Sequence, residues 1–248
     1  MSTLLLRLAA PLQSWGMDSK FERRITGRTP TKSGVIGICA AALGLKRWED
    51  EELKNLMSLR FGVRLDKAGV LLKDFHMAHE ESFWDVNDRS KINRGKNSSA
   101  YLTNRYYIAD AIFLAGLEGN EDLLSEIDQA LHYPAFPLYL GRRSCPPEGR
   151  LSLGIVSDNL QLALEKYPPL FISQKTGSAK VDGLRVIMDA NNANSSNNSY
   201  LVHDQPLSYN PVHRKHDYRS IYEFKMPILT NEKNHDALAA VEEADPCS

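Results

Sequence analysis

Cysteine is scarce in this chain. The three thiols, Cys39, Cys145 and Cys247, lie far apart, and none belongs to a CxxC pair. That argues against a disulfide framework or a cysteine-based zinc site and suits a reducing, cytoplasmic compartment. No run of 18 apolar residues exists, so no helical membrane span is expected. Residues 1–7 lack the charged and then apolar order of a signal peptide, and none is expected. Catalytic signatures are missing too: the sequence has no GxxxxGK[ST] loop, GxSxG elbow, HExxH pair or calcium loop. The spaced pairs His76/His79 and His213/His216 have no cysteine or suitably placed carboxylate beside them. Neither a metal nor another cofactor is therefore expected.

A large net charge is also absent, since 30 basic residues nearly balance 31 acidic ones. For phosphate binding, however, distribution matters more than the sum. Residues 20–32 hold Lys20, Arg23, Arg24, Arg28 and Lys32 against Glu22 alone. Residues 89–105 hold Arg89, Lys91, Arg94, Lys96 and Arg105 with no acid. Residues 118–128 and 236–245 are acidic in compensation. A neutral total thus hides two basic stretches. With 248 residues and 42% hydrophobic content, the chain has enough material for a real core.

Hydrophobic patterning predicts a strand over 3–9 and a helix from about 33 to 44, with Ser33 as cap and Gly44 as stop. A short helix is expected over 49–57. Strands over 59–66 and 69–76 read as a hairpin turning at 67–69. Residues 80–104 form a long polar excursion. A strand over 105–117 and a helix over 120–132 follow, and a last strand near 138–140 or 151–156 would complete a βαββαβ unit. Beyond 157, a helix over 160–167 and a pair of strands at 183–188 and 200–203 suggest a smaller β-rich extension. The low-complexity loop 189–199 separates those strands.

Two segments carry candidate phosphate chemistry. Residues 27–34 (GRTPTKSG) place Arg28, Thr31, Lys32 and Ser33 at a helix start, where free N–H groups and the helix dipole favour an anion. A capped helix with a solvated loop would leave the same trace. Residues 139–147 (YLGRRSCPP) set Arg142 and Arg143 in a turn, where they suit phosphates, beside Tyr139, which suits stacking on a base. An ordinary surface turn reads identically. The excursion adds Phe83, Trp84 and Tyr101 among its cations, a mixture that suits single-stranded nucleic acid or a protein partner equally well.

Taken in order, PLQSWG at 11–16, TGRTPTKSG at 26–34 and LYLGRRSCP at 138–146 resemble the CasD family of type I-E CRISPR Cascade subunits, members of the RAMP superfamily. KDFH at 73–76 and TNRYYIADAIF at 103–113 fit the same family, and the match runs from about residue 3 to 157. The resemblance implies an α+β, ferredoxin-like and RRM-like (RAMP) domain over 1–157, with a thumb inserted at about 80–104. A small β-rich C-terminal extension would occupy 158–248. It implies a non-catalytic subunit that grips the 5′ handle of the CRISPR RNA, touches the large CasA subunit and the CasC backbone subunit, and meets target DNA only indirectly. The gripping residues would be Lys20, Arg23, Arg24, Arg28, Thr31, Lys32, Ser33, Arg105, Tyr139, Arg142 and Arg143, with Arg89, Lys91, Arg94 and Lys96 on the thumb. Because related subunits of another subtype cleave RNA, a metal-independent endoribonuclease using His76 with Tyr106 or Lys73 is the alternative. A pure protein scaffold is a third reading.

Overall fold

The computed structural model describes residues 1–16, 23–78, 101–171, 183–190 and 199–227. Strand β1 (Ser2–Ala9) is almost continuously apolar because both its faces are covered. Leu4, Leu6 and Leu8 face a core built with helices α1 (Lys32–Ala42), α2 (Asp50–Met57) and α3 (Glu121–His132). Leu5 faces a smaller core under α4 (Leu160–Lys166) on the other side. Each fully buried leucine contributes about 2 kcal/mol.

The expected βαββαβ unit is present. Its strands are β1, β4 (Arg60–Lys67), β7 (Ile112–Gly119) and β8 (Ser152–Val156), ordered β4-β7-β1-β8 with antiparallel neighbours. This is the ferredoxin-like arrangement. Three later strands extend the sheet beyond β4: β9 (Leu184–Asp189), β10 (Ser199–Ser208) and β11 (Lys215–Met226). The full order is β10-β11-β9-β4-β7-β1-β8.

Local signals explain the helices. Thr31 caps α1 by accepting from Gly34 N, Asn120 caps α3 and Asn159 caps α4. The expected cap Ser33 instead lies inside the first turn of α1, because Thr31 stands where the backbone is still extended. At the other end the Gly44 N–H donates to Ala41 O and the Leu45 N–H to Ala40 O, which closes the helix near the expected stop.

A second sheet departs from expectation. Strands β5 (Val70–Ala78) and β6 (Tyr101–Ala109) pair along their full length and form a ribbon inserted between β4 and β7. The predicted hairpin of 59–66 with 69–76 does not form. β4 is already paired on both edges, by β7 and β9, and is buried on both faces, whereas β5 is largely exposed. The predicted strand over 105–117 is really two strands, β6 and β7, broken at Asp110, whose φ is 56°. Two short strands, β2 (Leu12–Gln13) and β3 (Arg23–Arg24), pair with the remaining edge of β6. Most of the expected thumb, residues 80–100, lies outside the described residues, while 101–104 belong to β6. The predicted pairing of 183–188 with 200–203 also fails, because β11 lies between those strands.

Arg64 ties α4 to the main sheet. Wholly buried, it makes a bidentate pair with Asp66 at 2.7 and 2.8 Å. It also donates to the carbonyls of Leu164, Tyr167 and Pro168 at 2.6, 2.5 and 2.9 Å, so every guanidinium N–H is used. Asp66 accepts in addition from Leu170 N at 2.6 Å.

Candidate nucleic-acid interface

Backbone contacts bring the three sequence segments 11–16, 26–34 and 138–146 together. Ser14 N donates to Leu140 O at 3.1 Å. Trp15 N donates to Thr26 Oγ1 at 2.8 Å, and Gly27 N donates to Trp15 O at 2.7 Å. The Trp15 ring is fully buried, and its Nε1 donates to Gln13 Oε1 at 3.1 Å. Gly34 admits that ring: a Cβ there would sit 3.0 Å from it. Gly141 is required on two counts. Its φ is +89°, and a Cβ would lie 1.6 Å from Ser14 O.

This junction gathers arginines along the β3 edge of the second sheet. Arg23 and Arg24 are exposed on β3 and Arg28 is exposed in the following loop. Arg24 registers with Arg105, which registers in turn with Asp74 of β5. Arg105 is half-buried, and its Nε has no hydrogen-bond partner among the described residues. Arg143 is exposed. The Arg142 guanidinium stacks on Tyr107, with its carbon 4.7 Å from the ring centroid, and its Nη2 donates to Arg24 O at 2.8 Å. Tyr139 is half-buried nearby in sequence. The chemistry available here is a set of exposed guanidinium groups around one anchored arginine, suited to anionic phosphates.

Two of the three expected contacts at the start of α1, Thr31 and Lys32, turn inward, and Ser33 is half-buried. Thr31 is buried as the helix cap. Ser33 lends its carbonyl to the Tyr209 hydroxyl at 2.6 Å. Lys32 is 5% exposed, and its Nζ pairs with Asp189 at 3.3 Å. The Lys32 N–H donates to Asp204 at 2.9 Å, so a carboxylate of the chain itself sits at the helix N-terminus expected to take a phosphate. Arg219 completes the group by bonding both Asp189 and Asp204. Burial holds the Lys32 pKa below its ordinary value despite Asp189. In Lys32→Glu, an added carboxylate would face two others, costing about 3–5 kcal/mol. The urea midpoint should fall accordingly, while Arg28→Glu at an exposed position should shift stability by no more than about 0.5 kcal/mol. Equal midpoints for the two variants would contradict the inward placement of Lys32.

The nuclease constellation also separates. His76 Nε2 is 3.0 Å from Asp74 Oδ2 and shares a ribbon face with Arg105. Lys73 and Tyr106 are cross-strand partners on the opposite face, because side chains alternate along a strand. Lys20 and the thumb residues Arg89, Lys91, Arg94 and Lys96 lie outside the described residues. Tyr107, the ring beneath Arg142, was not legible as a site residue, since a tyrosine in an apolar strand reads simply as core. No group of three or more His, Cys, Asp or Glu side chains able to hold a metal occurs among the described residues. No described helix is long and apolar enough to cross a membrane.

Comparison with known proteins agrees with this architecture. Residues 3–222 match the family model described as CRISPR-associated protein (Cas_Cas5). The CRISPR system Cascade subunit CasD of Escherichia coli (strain K12) is 35% identical over 175 residues, covering 68% of this chain and 78% of that protein. A solved structure described as a Cas protein superposes with a TM-score of 0.68 at 37% identity, over 91% of this chain and 95% of its own. A chain from a CRISPR RNA-guided surveillance complex superposes with a TM-score of 0.74 at 30% identity, over 91% of this chain and 90% of its own. The chain belongs to the Cas_Cas5 family of CRISPR-associated proteins.

Proposed function

We propose that this chain is a non-catalytic subunit of a type I-E CRISPR Cascade complex that grips the 5′ handle of the guide RNA. The observation that carries this reading is the meeting of Arg23, Arg24, Arg28, Arg105 and Arg143 around one backbone junction. Phosphate neutralisation by such a set supplies affinity, and splayed bases supply specificity. Tyr139, Lys20 and the thumb cations Arg89, Lys91, Arg94 and Lys96 would share the grip. Residues 1–157 form the gripping unit in this reading, and β9, β10 and β11 of the C-terminal extension widen its sheet.

The ribbon suits a protein neighbour on its other face. Leu71, Phe75, Met77 and Leu102 share that face and are exposed, a pattern typical of a surface that another chain covers. The E. coli relative is a Cascade subunit. By analogy we assign this chain the CasA and CasC subunits as neighbours, contact with target DNA only through the complex, and residence in the cytoplasm.

Co-expression with the neighbouring subunits, followed by sequencing of the co-purified RNA, tests the reading. CRISPR RNAs with a common repeat-derived 5′ end are expected, and a random RNA population would sink it. Purified alone, the chain should leave repeat RNA intact with or without metal. Cleavage abolished by His76→Ala would restore the nuclease alternative.

A further inference from the structure

The adjacent arginines of the 138–146 segment do not act alike. Arg143 is exposed, whereas Arg142 turns back into the protein. One face of its guanidinium lies on Tyr107 and Nη2 is bonded to Arg24 O. Nη1 is buried and has no hydrogen-bond partner among the described residues. The backbone beneath is fixed as well. Cys145 N donates to Arg142 O at 2.9 Å, Leu140 N donates to Cys145 O at 2.7 Å, and Gly141 is pressed against Ser14. Swinging this side chain out to a phosphate would break the stacking and the Arg24 bond together.

What Arg142 holds is weakly held otherwise. β3 consists of two residues and pairs with β6 in parallel, through Arg23 with Asn104 and Arg24 with Arg105. Parallel pairing is the weaker kind, and two residues give it little cooperativity. A charge-assisted bond to the Arg24 carbonyl is stronger than either neutral ladder bond. Both side chains of β3 are exposed arginines.

We propose that Arg142 is a positioning residue: it clamps β3 onto β6, so that Arg23 and Arg24 are presented to RNA phosphates. The inference rests on the RNA reading above and adds a division of roles within the site. Arg143, Arg23 and Arg24 meet the ligand, and Arg142 holds the strand from which two of them project.

Lysine separates this role from a direct contact. A phosphate contact needs only the charge, so Arg142→Lys would preserve it. A clamp needs a flat group that stacks on a ring while donating from its edge, which lysine cannot supply. The test measures binding of a fluorescent RNA carrying the repeat-derived 5′ end of the co-purified CRISPR RNA to the full-length chain. Arg142→Lys and Arg142→Ala should weaken binding alike, by about tenfold or more. Neither should add to the loss in Arg23→Gln/Arg24→Gln, because the clamp acts only through those side chains. Tyr107→Leu removes the stacking ring and should reproduce the Arg142→Lys loss, whereas Tyr107→Phe should not. That pair keeps the test decisive if the Arg142 variants fold poorly. Wild-type binding by Arg142→Lys, or losses that add to those of Arg23→Gln/Arg24→Gln, would overturn the proposal. If Arg23→Gln/Arg24→Gln itself binds normally, the phosphate role of β3 fails first and the clamp falls with it.

Discussion

Replacing Arg24, Arg28 and Arg143 by glutamate should abolish capture of guide RNA while the chain stays folded. All three side chains are exposed, so reversing them disturbs no packed interior. Each substitution removes a cation from the junction and adds an anion facing the phosphates. For single-stranded RNA, each neutralised phosphate contributes about 0.7 to the slope of log affinity against log salt. Loss of three contacts should flatten that slope by about 2 and weaken binding by at least roughly 100-fold at moderate salt. RNA retained by the assembled complex, titrated between low and moderate salt, gives both quantities. An unchanged slope would show that this face is not where the RNA lies.

Removing Arg64 should have the largest effect on stability. In Arg64→Met, Asp66 remains buried with only Leu170 N of its present partners, and three carbonyls near the end of α4 lose their donor. Breaking a buried pair from one side costs about 3–5 kcal/mol. For a chain of this size that corresponds to a fall of about 10 °C in the melting temperature. The double variant Arg64→Met/Asp66→Leu should recover part of the loss, because it leaves no uncompensated charge. A single variant that melts like the wild type would mean that α4 is held by its apolar contacts alone. RNA binding by the folded fraction should not change, since Arg64 serves the α4 face of the sheet and lies outside the arginine junction.

The βαββαβ unit was legible because its elements announce themselves locally. β1 and β7 are apolar runs, and Asn120 precedes a helix with buried Leu124, Ile127 and Leu131. Pairing was not legible in the same way, because partners far apart in sequence leave no local trace. β5 therefore read as the mate of β4, when its actual mate begins 23 residues beyond its own end. β11 was missed because its strand positions carry charge: Arg219 and Glu223 are paired across strands, which hides a half-buried face behind a polar composition. Lys32 misled for a related reason. Its helix-start context suggests an anion, and an anion is indeed there, but it comes from Asp189 and Asp204, more than 150 residues away. The convergence of Ser14, Gly27 and Gly141 could be anticipated only through the resemblance, since nothing in their spacing requires it.

The ribbon has a consequence for how such a protein diversifies. Ala78 and Tyr101 stand opposite one another at the ends of β5 and β6, so the two attachment points of the intervening segment are adjacent. That segment is joined to the ribbon through a single doorway. Doubling its length adds only about 0.6 kcal/mol of closure cost, and no strand of the main sheet has to shift. The same doorway offers an experimenter a grafting position, where a reporter peptide or an arm from a relative is inserted without rebuilding the domain that carries it.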